Sequence, residues 1–168
     1  LKTQYQNASN ISVRINLHRL YSQNEQGWFP WLYGQTGLRR GMKVLEAGCG
    51  DGTLWTDNRE RLPQGVEIVL SDISEGMLRD ARRAVGSSDG RFSYRVFDCH
   101  QIPYEEARFD LVIANHVLFY CEDIRQVCRE VSRVLKPVGR FLCSTYGKNH
   151  MKEVSKLVQR FEERIVMS

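Results

Sequence analysis

The sequence holds no apolar run near the ~20 residues that a membrane-spanning helix requires, so no helical span is expected. No signal-peptide pattern opens the chain. Its five cysteines, at positions 49, 99, 121, 128 and 143, form no C-x-x-C pair. An odd number at such spacing argues against a disulfide framework and against a zinc site. It fits the reducing cytoplasm, the compartment expected here. There is no internal repeat, low-complexity tract or linker, and no basic stretch interleaved with aromatics. Lysine and arginine exceed the acids by 24 to 20, but the excess is spread along the chain, densest at Arg39–Arg40 and at Arg79, Arg82 and Arg83. Solvated helix faces explain such groups better than a nucleic-acid footprint does, so neither nucleic acid nor membrane is expected as a partner. The chain opens on Leu rather than Met, which reads as a trimmed start.

What is present is 168 residues, 42% hydrophobic and 26% charged, enough for one ordinary core. Residues 1–40 are rich in aromatics and predict a helical cap of two helices, 8–22 and 27–36, broken around "NEQG". Pro30 sits near the start of the second, where its missing N–H matters least. From 41 to 168 the pattern alternates. "KVLEA" reads as a strand, "TLWTDNRERL" as a helix, "VEIVLSD" as a strand, and "SEGMLRDARRAV" as a helix with Ser74 as N-cap. "RFSYRVFD" and "FDLVIAN" are strands, "EDIRQVCREVSRVL" a helix, "GRFLCSTYG" a fifth strand, and "HMKEVSKLVQRFEERIV" a closing helix. Short apolar strands between helices imply an α/β, Rossmann-like, doubly wound and mostly parallel sheet.

In such a sheet, ligands bind beyond the carboxyl ends of the strands, where strand order reverses. The turn "AGCGDGT" follows the first strand, and Gly48, Gly50 and Gly52 permit close backbone approach to a ligand. A dinucleotide would be the usual tenant. However, the sixth position of the G-x-G-x-x-G count is Thr53, and Asp51 would face a pyrophosphate at a helix start that should welcome anions. Glu46 adds a second negative charge. These acids suit a cationic ligand without phosphate, and S-adenosylmethionine is one. Asp72, ending the second strand, stands where a carboxylate can accept from both ribose hydroxyls. Asp98, after the third, can accept from an adenine amino group while the Cys99 N–H meets a ring nitrogen.

The stretches "VLEAGCGDGTLW", "LSDISEGML", "FDCHQIPYEEARFDLVIANHVLFYCED" and "VLKPVGRFLCSTYG" resemble the class I S-adenosylmethionine-dependent methyltransferases of the small-molecule branch. They match in order and spacing from about Val44 to Gly147. The resemblance implies that Glu46, Gly48, Cys49, Gly50 and Gly52 line the methionine end and the turn. It assigns Asp72 to the ribose and Asp98 with Cys99 to adenine, and it places Asn115 and His116 beside the methionine and the transferred methyl. Trp55 and Ile73 would flank the pocket. Tyr5, Tyr21, Trp28 and Phe29 have two readings: packing in the core, or closing over the sulfonium, where an aromatic face attracts a cation.

Three departures stand out. The family's K-P-G-G turn is "KPVG" here, and Val138 predicts a turn type without a positive φ. Cys121 stands where relatives often carry histidine. The chain also stops one helix past the fifth strand, without the family's antiparallel pair, so it reads as shortened. The fifth strand would then be an exposed edge, a possible route to a homodimer. Methyl transfer to an O, N or C nucleophile needs mainly alignment and exclusion of water. A base is needed only for a nucleophile whose proton has a high pKa, and His116 is the candidate by position, ahead of His18, His100 and His150. The acceptor is expected to be a small molecule, since neither N-P-P-Y nor a Pro-Cys pair follows the fourth strand, and no acidic cluster suggests a metal. Two rival readings are a cofactor-binding module without turnover and a nicotinamide oxidoreductase, the latter disfavoured by Asp51, Thr53 and the lack of a Tyr-x-x-x-Lys pair.

Overall fold

A computed structural model describes Asn16 and residues 20–147, 149–150 and 152–160. The expected helix 8–22 and Tyr5 therefore lie mostly or wholly outside the described residues. Elements run α1 (Trp28–Thr36), β1 (Lys43–Ala47), α2 (Thr53–Thr56), β2 (Glu67–Asp72), α3 (Glu75–Val85), β3 (Phe92–Val96), β4 (Phe109–Asn115), α4 (Ile124–Val134), β5 (Leu135–Ser144) and α5 (Lys152–Gln159). All strand pairs are parallel, in the order β3-β2-β1-β4-β5. The chain builds outward from β1 to β3 and then crosses to the other side of β1. The reversal thus falls between β1 and β4, which places the ends of these two strands on either side of the crevice where ligands bind.

Alternate side chains of the central strands serve two cores. Val44, Ile68, Leu70, Leu111 and Ile113 pack under α1, α2 and α3 with Leu32, Leu54, Trp55, Leu78 and Ala81. Leu45, Val69, Val112 and Phe109 pack under Val127, Val131 and Val134 of α4. Covering both faces explains why the strands read as apolar runs rather than strict alternation. The three α4 valines are at most 2% exposed, and burial of each stabilises the fold by about 1.5–3 kcal/mol. Ser74 caps α3 as expected, its hydroxyl accepting from the Met77 N–H at 3.2 Å.

Two expectations need correction. The single helix expected over 53–62 is a short α2 followed by a 3-10 turn at Arg59–Arg61. Asn58 separates them; its side-chain amide donates to the Leu54 carbonyl at 2.7 Å and to the Phe29 carbonyl at 3.3 Å, tying the break to α1. In place of a turn at "KPVG", β5 begins at Leu135 and runs through it. Two steps along β4, Phe109 to Leu111, take up five along β5, Leu135 to Arg140. The extra residues bulge outward with Val138 92% exposed, so the positive φ that Val138 disfavours is not needed. Lys136 anchors the bulge through an ion pair with Asp110 at 2.8 Å. Among the described residues β5 forms one edge of the sheet, and no helix is long and apolar enough to cross a membrane.

Candidate functional site

The glycine turn after β1 is bound to β2 by its backbone. The N–H groups of Gly48 and Cys49 both donate to the Ser71 carbonyl at 2.8 Å, and the Gly50 N–H donates to Asp72 Oδ2 at 3.1 Å. Asp72 Oδ1 accepts from the Ser74 N–H at 2.9 Å. One carboxylate thus ties the turn to the start of α3. Gly48 has φ +79°, and a Cβ there would collide with Val117 beyond the end of β4. Gly52, also at φ +79°, would bring a Cβ to 2.8 Å from Val85 Cγ2. The first glycine lets β1 and β4 approach; the second seats the turn against α3.

Asp51 turns back on its own helix, Oδ1 accepting from the Thr53 N–H at 3.0 Å and the Thr53 hydroxyl at 2.6 Å. Glu46 is 2% exposed, and its Oε2 accepts from the Trp55 indole N–H at 2.5 Å. Burial pushes the Glu46 carboxyl up to about 8 against the pull of that hydrogen bond, and the negative charges of Asp72 and Asp51 add to the rise. Burial also raises Asp72, although the Ser74, Gly50 and Ile73 N–H groups oppose it. The charges that act on Glu46 are all negative. Such a nest of acids repels a pyrophosphate and gains from a cation. The Cys49 side chain lies in the core with its thiol raised well above the usual range by burial. Its N–H donates to the Ser71 carbonyl and its own carbonyl accepts from the Gly52 N–H at 3.1 Å, so the Cys49 backbone serves the turn itself.

The other expected residues stand at or just after the carboxyl ends of β2, β3 and β4. Ile73, next to Asp72, is 70% exposed. Asp98 is exposed and accepts from the His100 N–H at 2.9 Å and from its ring Nδ1 at 2.5 Å. Burial works to raise Asp98, but these two bonds and the His100 charge outweigh it and hold the carboxyl below its ordinary value. Cys99 is half-buried, with its thiol pushed up to about 12 by burial first and by Cys121 and Asp98 beside it. A cleft of about 580 Å³ along loop 97–103 includes Asp98 but no other expected site residue.

Asn115 ends β4 under α1. Its Oδ1 accepts from the Trp28 indole N–H at 3.2 Å and from the Ser144 hydroxyl at 2.7 Å. His116 follows at φ +56°, and its N–H donates to Ser144 Oγ at 3.0 Å. Its ring stacks on Tyr146 at 5.0 Å and lies 5.1 Å from Trp28 and 6.2 Å from Phe119. Of the aromatics expected to close the site, Trp28 does reach it, whereas Phe29 packs into the core. Tyr21 is exposed, with no ring contact to this cluster described. Sequence reasoning passed over Ser71, Val117, Ser144 and Tyr146. Ser71, whose hydroxyl donates to the Glu46 carbonyl at 2.9 Å, had one visible signal: a polar residue inside an apolar strand.

Residues 45–143 match the family model described as a methyltransferase domain. The chain belongs to this methyltransferase domain family. It is 31% identical over 137 residues to a malonyl-[acyl-carrier protein] O-methyltransferase of Pseudescherichia vulneris, covering 80% of this chain and 51% of that protein. It is 30% identical over 141 residues to the ubiquinone/menaquinone biosynthesis C-methyltransferase UbiE of Idiomarina loihiensis, covering 83% and 53%. The chain thus spans about half the length of these relatives. A solved S-adenosylmethionine-dependent methyltransferase of Mesorhizobium loti superposes at a TM-score of 0.63 and 29% identity, over 75% of this chain and 57% of that one. The match agrees with the observed Rossmann-like sheet.

Proposed function

We propose that this domain binds S-adenosylmethionine across the crevice between β1 and β4 and transfers its methyl group to a small-molecule acceptor. The observation that carries the reading is the turn itself: backbone bent for close approach, at the strand-order reversal, surrounded by Glu46, Asp51 and Asp72. Those residues fit a ligand with a sulfonium and an α-amino group and do not fit a dinucleotide's phosphates. The homology to named methyltransferases supports the same cofactor, with S-adenosylhomocysteine as product.

When bound, the cofactor supplies an electrophilic methyl group. The chain's own part is to hold and orient. Gly48, Gly50 and Gly52 shape the turn; Asp72 accepts from the ribose; Asp98 and the Cys99 backbone take the adenine; Glu46 offsets positive charge from beneath. Asn115, fixed by Trp28 and Ser144, borders the methionine end. Trp28, His116, Phe119 and Tyr146 form an aromatic rim that keeps water from the acceptor side. His116 is the group placed to take a proton where the acceptor must lose one. Self-association through the β5 edge belongs to the same proposal.

Calorimetric titration of S-adenosylhomocysteine, with NADH as comparison and Asp72→Ala as control, tests the cofactor. Micromolar binding of the first alone, lost in the folded variant, is the expected result. Binding of NADH, or binding indifferent to Asp72, would overturn the reading.

A further inference from the structure

We propose that His100 and a polar stripe on α4, made of Gln126, Glu130 and Arg133, are positioning residues that set the cofactor's base specificity. They hold the loop after β3 so that Asp98 accepts from an adenine amino group while the Cys99 N–H meets the adjacent ring nitrogen. A base with an oxo group at the same place is thereby refused. The inference rests on the adenine reading given above and adds what enforces it. Residues 97–108 join β3 to β4 with neither helix nor strand among them. Their backbone groups therefore need partners from outside the loop, and α4 supplies them.

The stripe stands at i, i+4 and i+7, each residue one position before the buried Val127, Val131 and Val134. One row of α4 thus enters the core, and its neighbour meets the loop. The Gln126 side-chain amide donates to the His100 carbonyl at 3.1 Å. Glu130 Oε2 accepts from the Ile102 N–H at 2.8 Å. The Arg133 guanidinium donates to the Tyr104 carbonyl at 2.7 Å and to the Ile102 carbonyl at 2.8 Å. Two more bonds, at 2.8 and 2.7 Å, tie it to Glu130. A planar fork suits this task, since it reaches two carbonyls and a carboxylate at once. His100 carries the constraint to the carboxylate. Its N–H and its Nδ1 both meet Asp98 Oδ1, at 2.9 and 2.5 Å, while the Asp123 N–H donates to its Nε2 at 3.3 Å. The ring thus bridges Asp98 to the start of α4. Among the described residues both bonds fall on Oδ1, which leaves Oδ2 for the adenine amino group. Phe97, Ile102 and Tyr104 pack into the core under α4 and anchor the loop independently, so the stripe's part is the backbone between those anchors.

The probes are S-adenosylhomocysteine and S-inosylhomocysteine. The second carries an oxo group for the amino group and a ring N–H for the acceptor nitrogen, so it reverses both contacts. Calorimetry on the full chain gives a Kd for each, and their ratio is the base preference. The parent should prefer adenine by about 10–100-fold, the worth of a hydrogen bond to a charged group, and Asp98→Ala should lose most of that preference. Gln126→Ala and Arg133→Met should each cut the ratio by about fivefold or more, the worth of an ordinary hydrogen bond. The loss should lie in S-adenosylhomocysteine binding, with S-inosylhomocysteine little changed. Arg133→Lys keeps the charge without the fork and should behave as Arg133→Met does. A stripe that only stabilised the fold would lower the melting temperature and weaken both ligands alike, leaving the ratio in place. Circular dichroism checks that each variant is folded, and Gln126→Ala, which removes a single bond, carries the test if Arg133→Met unfolds. A parent ratio that survives these substitutions overturns the positioning role and leaves the adenine reading standing. A folded parent that binds both ligands equally, or neither, removes the adenine reading and this inference with it.

Discussion

The two sides of the crevice are built in opposite ways. On the β1 side, the glycine turn is defined by backbone hydrogen bonds: Ser71 and Asp72 hold three consecutive N–H groups, and the acid beneath is sealed from water. On the β4–β5 side, the rim is defined by side chains, with Trp28, Phe119 and Tyr146 each between 36% and 43% exposed and in contact through ring edges and faces. A site held by backbone tolerates little change at any position but constrains a ligand's shape closely. A rim of rings can be rebuilt one residue at a time. That division suits a domain whose cofactor is constant and whose acceptor varies between relatives as different as a malonyl-carrier O-methyltransferase and a quinone-pathway C-methyltransferase.

Breaking the backbone side should have the largest effect. Gly48→Ala sets a Cβ against Val117 at a positive φ; a loss of about 2–4 kcal/mol in denaturant unfolding is expected from strain plus overpacking, with no measurable S-adenosylhomocysteine binding. A smaller backbone-side effect comes from Glu46. Its folded value near 8 lies above the ordinary 4.5, so the folded chain keeps a proton that the unfolded chain gives up. The stability this carries is whole below about pH 4.5, falls as pH rises, and is gone above about pH 8. Glu46→Gln, which keeps an oxygen for Trp55, should remove that fall. Urea unfolding of both proteins at pH 5.5 and pH 8 checks it, the parent losing stability relative to the variant at the higher pH. A cationic ligand would also expel the Glu46 proton, so binding heats at pH 7 should vary with the buffer's ionisation enthalpy in the parent and not in the variant.

On the rim, His116→Ala should lower turnover by roughly 10²–10⁴-fold if the acceptor must lose a proton in the step, with cofactor affinity nearly unchanged; equal turnover would remove His116 from the chemistry. Trp28→Ala should cost little stability, about 1 kcal/mol or less for a partly exposed ring, and should raise the acceptor KM more than the cofactor Kd. A cofactor Kd that moves as far as the acceptor KM would end the division between the two sides. Smallest of all, the β5 edge should give weak, concentration-dependent association in light scattering, and a monomer at all concentrations would dismiss it.

Much of this was legible along the chain. β1 to β4, α3 with its Ser74 cap, α4 with its valine stripe and the second helix of the cap lie where their local patterns place them, because each pattern is complete within a dozen residues. The errors were also local. "TLWTDNRERL" has helical composition, but Asn58 spends its side chain on Leu54 and on Phe29 in another helix, and the helix breaks. "KPVG" reads as a turn until β4 is seen to hold Leu135 and Arg140 on either side of a bulge.

The sequence by itself determined the sheet class, the glycine turn, the acids at three successive strand ends and membership of the methyltransferase domain family. These rest on short-range periodicity and on residue types whose backbone or charge is distinctive wherever they fall. Only the tertiary structure decided that Glu46 lies under Trp55, that Ser71 and Ser144 hold the two sides of the crevice, that Trp28 joins His116, and that Cys99 meets Cys121. Most of these pair residues 9 to 88 positions apart, and the partner depends on strand order and on which way each side chain points from the sheet, neither of which is written in any single segment.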